Sequence, residues 1–93
     1  MLVKVDKILG GNKIKVIELD IDNYGSVIPL RELELQLPKD DSVIKVLSSS
    51  EYAAIFTEVD INGFGETIIL ANGVSHDELN EEKKRAIDTM NKR

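Results

Sequence analysis

The sequence predicts an α+β protein, a small antiparallel β-barrel or sandwich of about six strands built from two repeated β-hairpin units, with one C-terminal α-helix. Three observations predict it. Residues 18–30 and 58–70 match without a gap at an offset of 40; six of thirteen positions are identical, and Leu19/Val59, Asp22/Asn62 and Tyr24/Phe64 are close swaps. Apolar residues alternate with polar ones at the period of a strand through both copies. After Ser75 the pattern becomes that of a capped helix. The chain divides into pseudo-repeats over residues 1–40 and 41–73 and a helix over residues 75–92. All belong to a single domain over residues 1–93, because two independent cores cannot each bury enough surface at half that length.

In chain order, Leu2 or Val3 and Val5 alternate with Lys4 and Asp6, a first strand that ends at Gly10-Gly11-Asn12. Residues 13–22 form the second. Its apolar parity switches, with Ile14 and Val16 on one side and Ile17, Leu19 and Ile21 on the other, which predicts a β-bulge or bend near Val16. Asn23-Tyr24-Gly25 is a three-residue link whose glycine suits the left-handed position after a type I turn, and Gly65 holds the matching place in the second copy. Parity assigns Leu19, Ile21, Ile28 and Leu30 to an inner face with Val59, Ile61, Ile68 and Leu70. Burying each contributes roughly 1.5–3 kcal/mol before conformational entropy is subtracted.

Pro29 lacks an N–H, so the strand over residues 27–30 is expected at a sheet edge. Residues 31–37 alternate Leu33, Leu35 and Leu37 with polar groups and read as another strand. Residues 42–47 are expected to open the second unit as a strand, with Ser48-Ser49-Ser50 as a link. Residues 51–61 then form the central strand and residues 66–71 the last. At the helix, Ser75 and Glu78 make a capping box, Val74 and Leu79 a hydrophobic staple, and acids precede bases as the helix dipole favours. Its apolar stripe of Leu79, Ala86, Ile87 and Met90 is narrow and interrupted by Lys83. Such a stripe covers a barrel end or pairs with a second copy, so a homodimer is expected.

Cysteine is absent from the sequence, which excludes a disulfide framework, a thiolate zinc site and a cysteine nucleophile. No run approaches the apolar length of a membrane span and the first residues lack a signal peptide's apolar segment, so the cytoplasm is the expected compartment and no membrane partner is expected. The net charge of −5 is uneven. Residues 1–17 carry four lysines against Asp6, residues 18–82 three bases against fifteen acids, and residues 83–93 five bases against Asp88. Basic ends around an acidic middle suit either internal pairing or partners of opposite sign.

Candidate chemistry is sparse. The runs from Asp20 to Gly25 and Asp60 to Gly65 open like a calcium loop, but Tyr24 or Phe64 stands where an oxygen ligand is needed, and Arg31 or Ala71 where the bidentate Glu belongs. They are read as turns. His76 has no nucleophile in a Gly-x-Ser-x-Gly turn to serve, and Gly10-Gly11 precedes a strand and no helix, so the chain is read as a non-enzyme without cofactor or metal. Lys4, Lys7, Lys13 and Lys15 with the basic end of the helix offer a nucleic-acid surface, though no aromatic residues interleave with them.

The acids kept in both copies, Glu18 and Asp20 with Glu58 and Asp60, give up strand propensity. They mark a partner-binding face, with Tyr24 and Phe64 at the hairpin tips. The function this supports is a binding or regulatory module whose partner is another protein with a basic surface. A small nucleic-acid-binding regulator is the alternative.

Overall fold

Among its described residues the computed structural model forms five strands and two helices: β1 (Leu2–Leu9), β2 (Lys13–Ile21), β3 (Val27–Gln36), α1 (Asp41–Ser49), β4 (Tyr52–Val59), β5 (Glu66–Val74) and α2 (His76–Asn91). Asn62, Phe64, Lys92 and Arg93, and the side chains of Thr89, Met90 and Asn91, lie outside the described residues. The strands close into a barrel in the order β1-β2-β3-β5-β4. Neighbours are antiparallel except β3 and β5, which run parallel and meet at Gln36 and Thr67. No helix among the described residues is long and apolar enough to cross a membrane.

Two expectations about elements are corrected. Residues 27–30 and 31–37 are one strand, β3, in which Leu30 is an extra residue between the pairs Glu18–Arg31 and Leu19–Pro29. Residues 42–47 lie in helix α1. Their β-branched content favours a strand, but the local signals for a helix prevail: the Asp40 carboxylate accepts from the Ser42 N–H at 2.9 Å and its hydroxyl at 2.7 Å, and Asp41 adds an acid to the first turn. Val43 and Leu47, four residues apart, then share one helical face and are both buried against the barrel. Of the serines expected as a link, Ser48 and Ser49 continue the helix, their hydroxyls donating to the carbonyls of Ile44 and Lys45, and Ser50 ends it in extended backbone.

The barrel interior holds Val3, Ile14, Val16, Leu35, Ala53, Ile55, Ile68 and Ala71, completed by Val43 and Leu47 of α1. Of the eight side chains expected on the inner face, Ile68 is in this cluster. Leu19 is also buried but outside the cluster, and Ile21 is half-buried. Ile28, Leu30, Val59, Ile61 and Leu70 are exposed.

The reason lies in β2. Its residues pair with β3 consecutively, so no bulge interrupts β2 itself; the extra residues, Asp6 and Leu30, sit on its neighbours. Ile14 and Val16 point into the barrel. Ile17, Leu19 and Ile21 point out, on the face where Leu2 pairs with Leu19, and α2 lies there with Leu79 buried. The parity switch thus marks the point where burial passes from the inner face of β2 to its outer face, under α2.

The repeated stretch does not repeat its pairing. Asp20 faces Ile28 in the first hairpin, whereas Ile68 faces Thr57 in the second, and Asp60 falls in the turn. The first turn is the expected one: Gly25 N–H donates to Asp22 O at 3.1 Å, Asp22 N–H to Ser26 O at 3.0 Å, and Gly25 has φ +79°. In the second, Asp60 N–H reaches Gly65 O, one residue further, and the left-handed glycine is Gly63 at φ +71° in place of Gly65. The chain is elongated, with extents of 45 × 28 × 17 Å and a radius of gyration of 14.4 Å. A rounded chain of this length would have about 12 Å.

Two outcomes test this description. Gly25→Ala and Gly63→Ala should each lower stability by about 1 kcal/mol in chemical denaturation, because both place a Cβ at positive φ. Gly25→Ala should cost more, since its Cβ would lie 3.0 Å from Ile87 Cδ1 while that of Gly63 meets nothing within 4 Å. The hydrogen bonds from the Ser42 hydroxyl and N–H hold the Asp40 carboxyl below the ordinary carboxylate range. A depressed folded-state value stabilises above the unfolded-state value and is lost as pH falls through the folded one. Asp40→Ala should therefore lower the melting temperature near neutral pH, and by less once the pH falls below the folded-state value of Asp40.

Candidate functional site

The six residues singled out by sequence do not form one face. Glu18 shares a sheet face with Val3, through their pairing, and its carboxylate accepts from Arg31 Nε at 2.9 Å with the Glu18 side chain 18% exposed. It ties β2 to β3. Asp20 turns an oxygen to the N–H of Ile21 at 2.8 Å, and Asp22 holds the turn by accepting from the N–H groups of Tyr24 and Ser26 at 2.9 and 2.8 Å. Tyr24 stands 76% exposed at that tip. Glu58 is five residues beyond Ala53, the β4 residue level with Glu18 across β1, and so faces the opposite side of the sheet. Asp60 is exposed at the second turn, and Phe64 lies outside the described residues.

What the second hairpin presents instead is hydrocarbon. With Ile55 buried in the barrel, Phe56 points outward and pairs across the strands with Leu70; they are 58% and 46% exposed. Ile69, the extra residue of a bulge, Val59 and Ile61 are also exposed on this arm. Glu58 and Asp60 flank them, and Glu66 accepts the Thr57 hydroxyl at 2.9 Å. Sequence reasoning placed Val59, Ile61 and Leu70 in the core and missed Phe56; the register shift that exposes them has no local signature in the chain.

A groove of about 760 Å³ opens where α2 crosses the outer face of β1, β2 and β4. Leu2, Leu19, Ile21, Ala54, Leu79 and Ala86 line it, with Asp20, Glu78, Glu81, Glu82 and Arg85 around them. The helix is set by Ser75, whose hydroxyl accepts from the Glu78 N–H at 3.2 Å, and further along Gly25 of the first turn lies against Lys83 and Ile87. Met90 of the expected stripe has its side chain outside the described residues.

The lysine-bearing strands carry their own counter-charges. Lys13 and Lys15 lie 3.3 and 3.2 Å from Glu34 and Glu32, which offsets the repulsion of Lys15 and Lys7 paired across β1 and β2. His76, 77% exposed, has Nε2 3.6 Å from Glu51 and its ring edge-on to Tyr52. Among the described residues no three His, Cys, Asp or Glu side chains converge on a point. Compared with known protein families, with curated proteins and with solved structures, the chain finds no match in any of the three.

Because Leu19 and Leu79 are buried outside the barrel cluster, helix docking and barrel folding are separable. Leu79→Asp should release α2, seen as loss of amide protection along the helix, while the barrel strands keep theirs.

Proposed function

We propose that the chain is a non-enzymatic binding module that engages a basic surface of another protein through the β4–β5 arm, with the cytoplasm as its compartment. The observation that carries this reading is the arm itself. Phe56 and Leu70, paired across the strands, are exposed on the outer face of the β4–β5 hairpin with the bulged Ile69 beside Leu70, and Val59 and Ile61 are exposed towards its turn; exposed hydrocarbon of this kind marks interaction sites in soluble proteins. Glu58 and Asp60 beside them set the sign of the partner. Two copies meeting arm to arm would oppose these carboxylates, so the arm suits a basic partner better than a second copy.

The nucleic-acid alternative draws on architecture. Five-stranded Greek-key barrels of the OB kind bind oligonucleotides over their second and third strands, and this barrel has a comparable face. That is fold-level analogy. The face here bears Glu32 and Glu34 paired with Lys15 and Lys13, a charge balance that weakens attraction to phosphate.

The two readings separate in a quantitative affinity capture from the native host, run with the natural chain and with a Phe56→Ser/Leu70→Ser variant. Both positions are exposed, so the variant should fold with a stability change within about 1 kcal/mol. A basic protein retained by the natural chain and lost by the variant supports the proposal. Retention of nucleic acid, with binding that falls steeply as salt rises and is unaffected by the variant, overturns it.

A further inference from the structure

We infer that the groove beneath α2 receives lysine side chains from a basic segment of the partner protein, an inference that rests on reading the chain as a protein-binding module. The groove, about 760 Å³, falls within the range of roughly 300–1,000 Å³ typical of ligand sites. Its floor is aliphatic: Leu2, Leu19, Ile21, Ala54, Leu79 and Ala86. Its rim is acidic, with Asp20 from β2 and Glu78, Glu81 and Glu82 from α2, against Arg85, which is joined to Glu82 at 3.0 Å.

An occupant must lay hydrocarbon on the floor and bring positive donors to the rim. Peptide main chain meets half of that requirement, because its carbonyls would lie over a floor whose side chains carry no donor. A lysine side chain meets all of it. Its four-carbon stem covers aliphatic surface while the ammonium, with three donors and no acceptor, reaches the carboxylates. Arginine fits less well, since its planar fork is matched to one bidentate carboxylate and here the acceptors are spread along a helix. Glu81 and Glu82 stand three and four residues after Glu78, so the three carboxylates follow one side of α2. Lysines four apart on a partner helix match that spacing. Ala54 of the floor and Phe56 are two apart on β4 and share its outer face, so one partner can reach both.

The test uses a soluble helical peptide of alanine and lysine, with lysines four apart, titrated into the full chain by calorimetry and followed by methyl NMR. The expected result is saturable binding with shifts at Leu2, Leu19 and Leu79, abolished when the peptide's lysines are acetylated and weakened about tenfold by Glu81→Lys. The methyl shifts are read on the natural chain, so they do not depend on the folding of any variant. Equal binding of the acetylated peptide, methyl shifts confined to Ile69 and Leu70, or spermine binding as tightly as the peptide would each overturn the inference. So would absence of binding. Should the peptide fail while a basic protein is still retained through Phe56 and Leu70, the groove inference falls and the protein-binding reading stands. Retention independent of Phe56 and Leu70 undoes the reading based on the arm.

Discussion

Strand β2 buries its inner face at one end and its outer face at the other, and the remainder of the molecule is arranged to satisfy both. Ile14 and Val16 need the barrel interior, whereas Leu19 and Ile21, further along the same strand, need a cover on the outside. A closed barrel provides only the first. The second is provided by α2, whose narrow stripe is sufficient because the surface it covers is itself short. That division explains why the buried side chains form one cluster inside the barrel while Leu19 and Leu79 stand apart from it. It also explains the groove, since a helix with so few apolar residues covers the outer face incompletely.

Much of the local structure was legible in the sequence. The alternation of residues 2–9, 13–21 and 31–36 gave strands, Asn23-Tyr24-Gly25 gave its turn, and Ser75 gave the start of a helix. Helix α1 was misread because Val43, Ile44 and Val46 favour strands, although Asp40 and Ser42 carry a capping signal that could have been weighed against them. The core was read through a repeat that is real in sequence and absent in pairing. Register in a hairpin is set by turn length and bulges, and the second turn is one residue longer while its bulge falls at Ile69 instead of at the position matching Leu30. A change that small moves whole rows of side chains between faces. The acidic positions were legible as residues but their surroundings were not, because Glu18 meets Arg31 only once β2 and β3 are in register.

The open strand positions are guarded by devices of different kinds. Along β3, which among the described residues meets β5 at one pair, Pro29 removes a donor, Leu30 bulges, and Arg31, Glu32 and Glu34 place charge on the strand. On β2, the N–H of Ile21 lies past the last pair with β1 and is occupied by Asp20. These features disfavour random edge pairing. The β4–β5 hairpin has acids nearby but leaves Phe56 and Leu70 uncovered as a cross-strand pair.

The barrel's seam has a kinetic meaning. Joining β3 to β5 links Gln36 with Thr67, and joining β1 to β4 links Met1 with Ile55 through main-chain bonds of 3.0 and 2.8 Å, so closure brings together parts of the chain far apart in sequence. The β2–β3 and β4–β5 hairpins need only local contacts, and the entropy of closing long loops is met after they have formed. The topology therefore favours assembly from two ribbons, β1-β2-β3 and β4-β5, joined along β1 and at Gln36. Among the described residues this seam is held at one residue pair, so amide exchange should be fastest along it and slowest within the antiparallel ribbons.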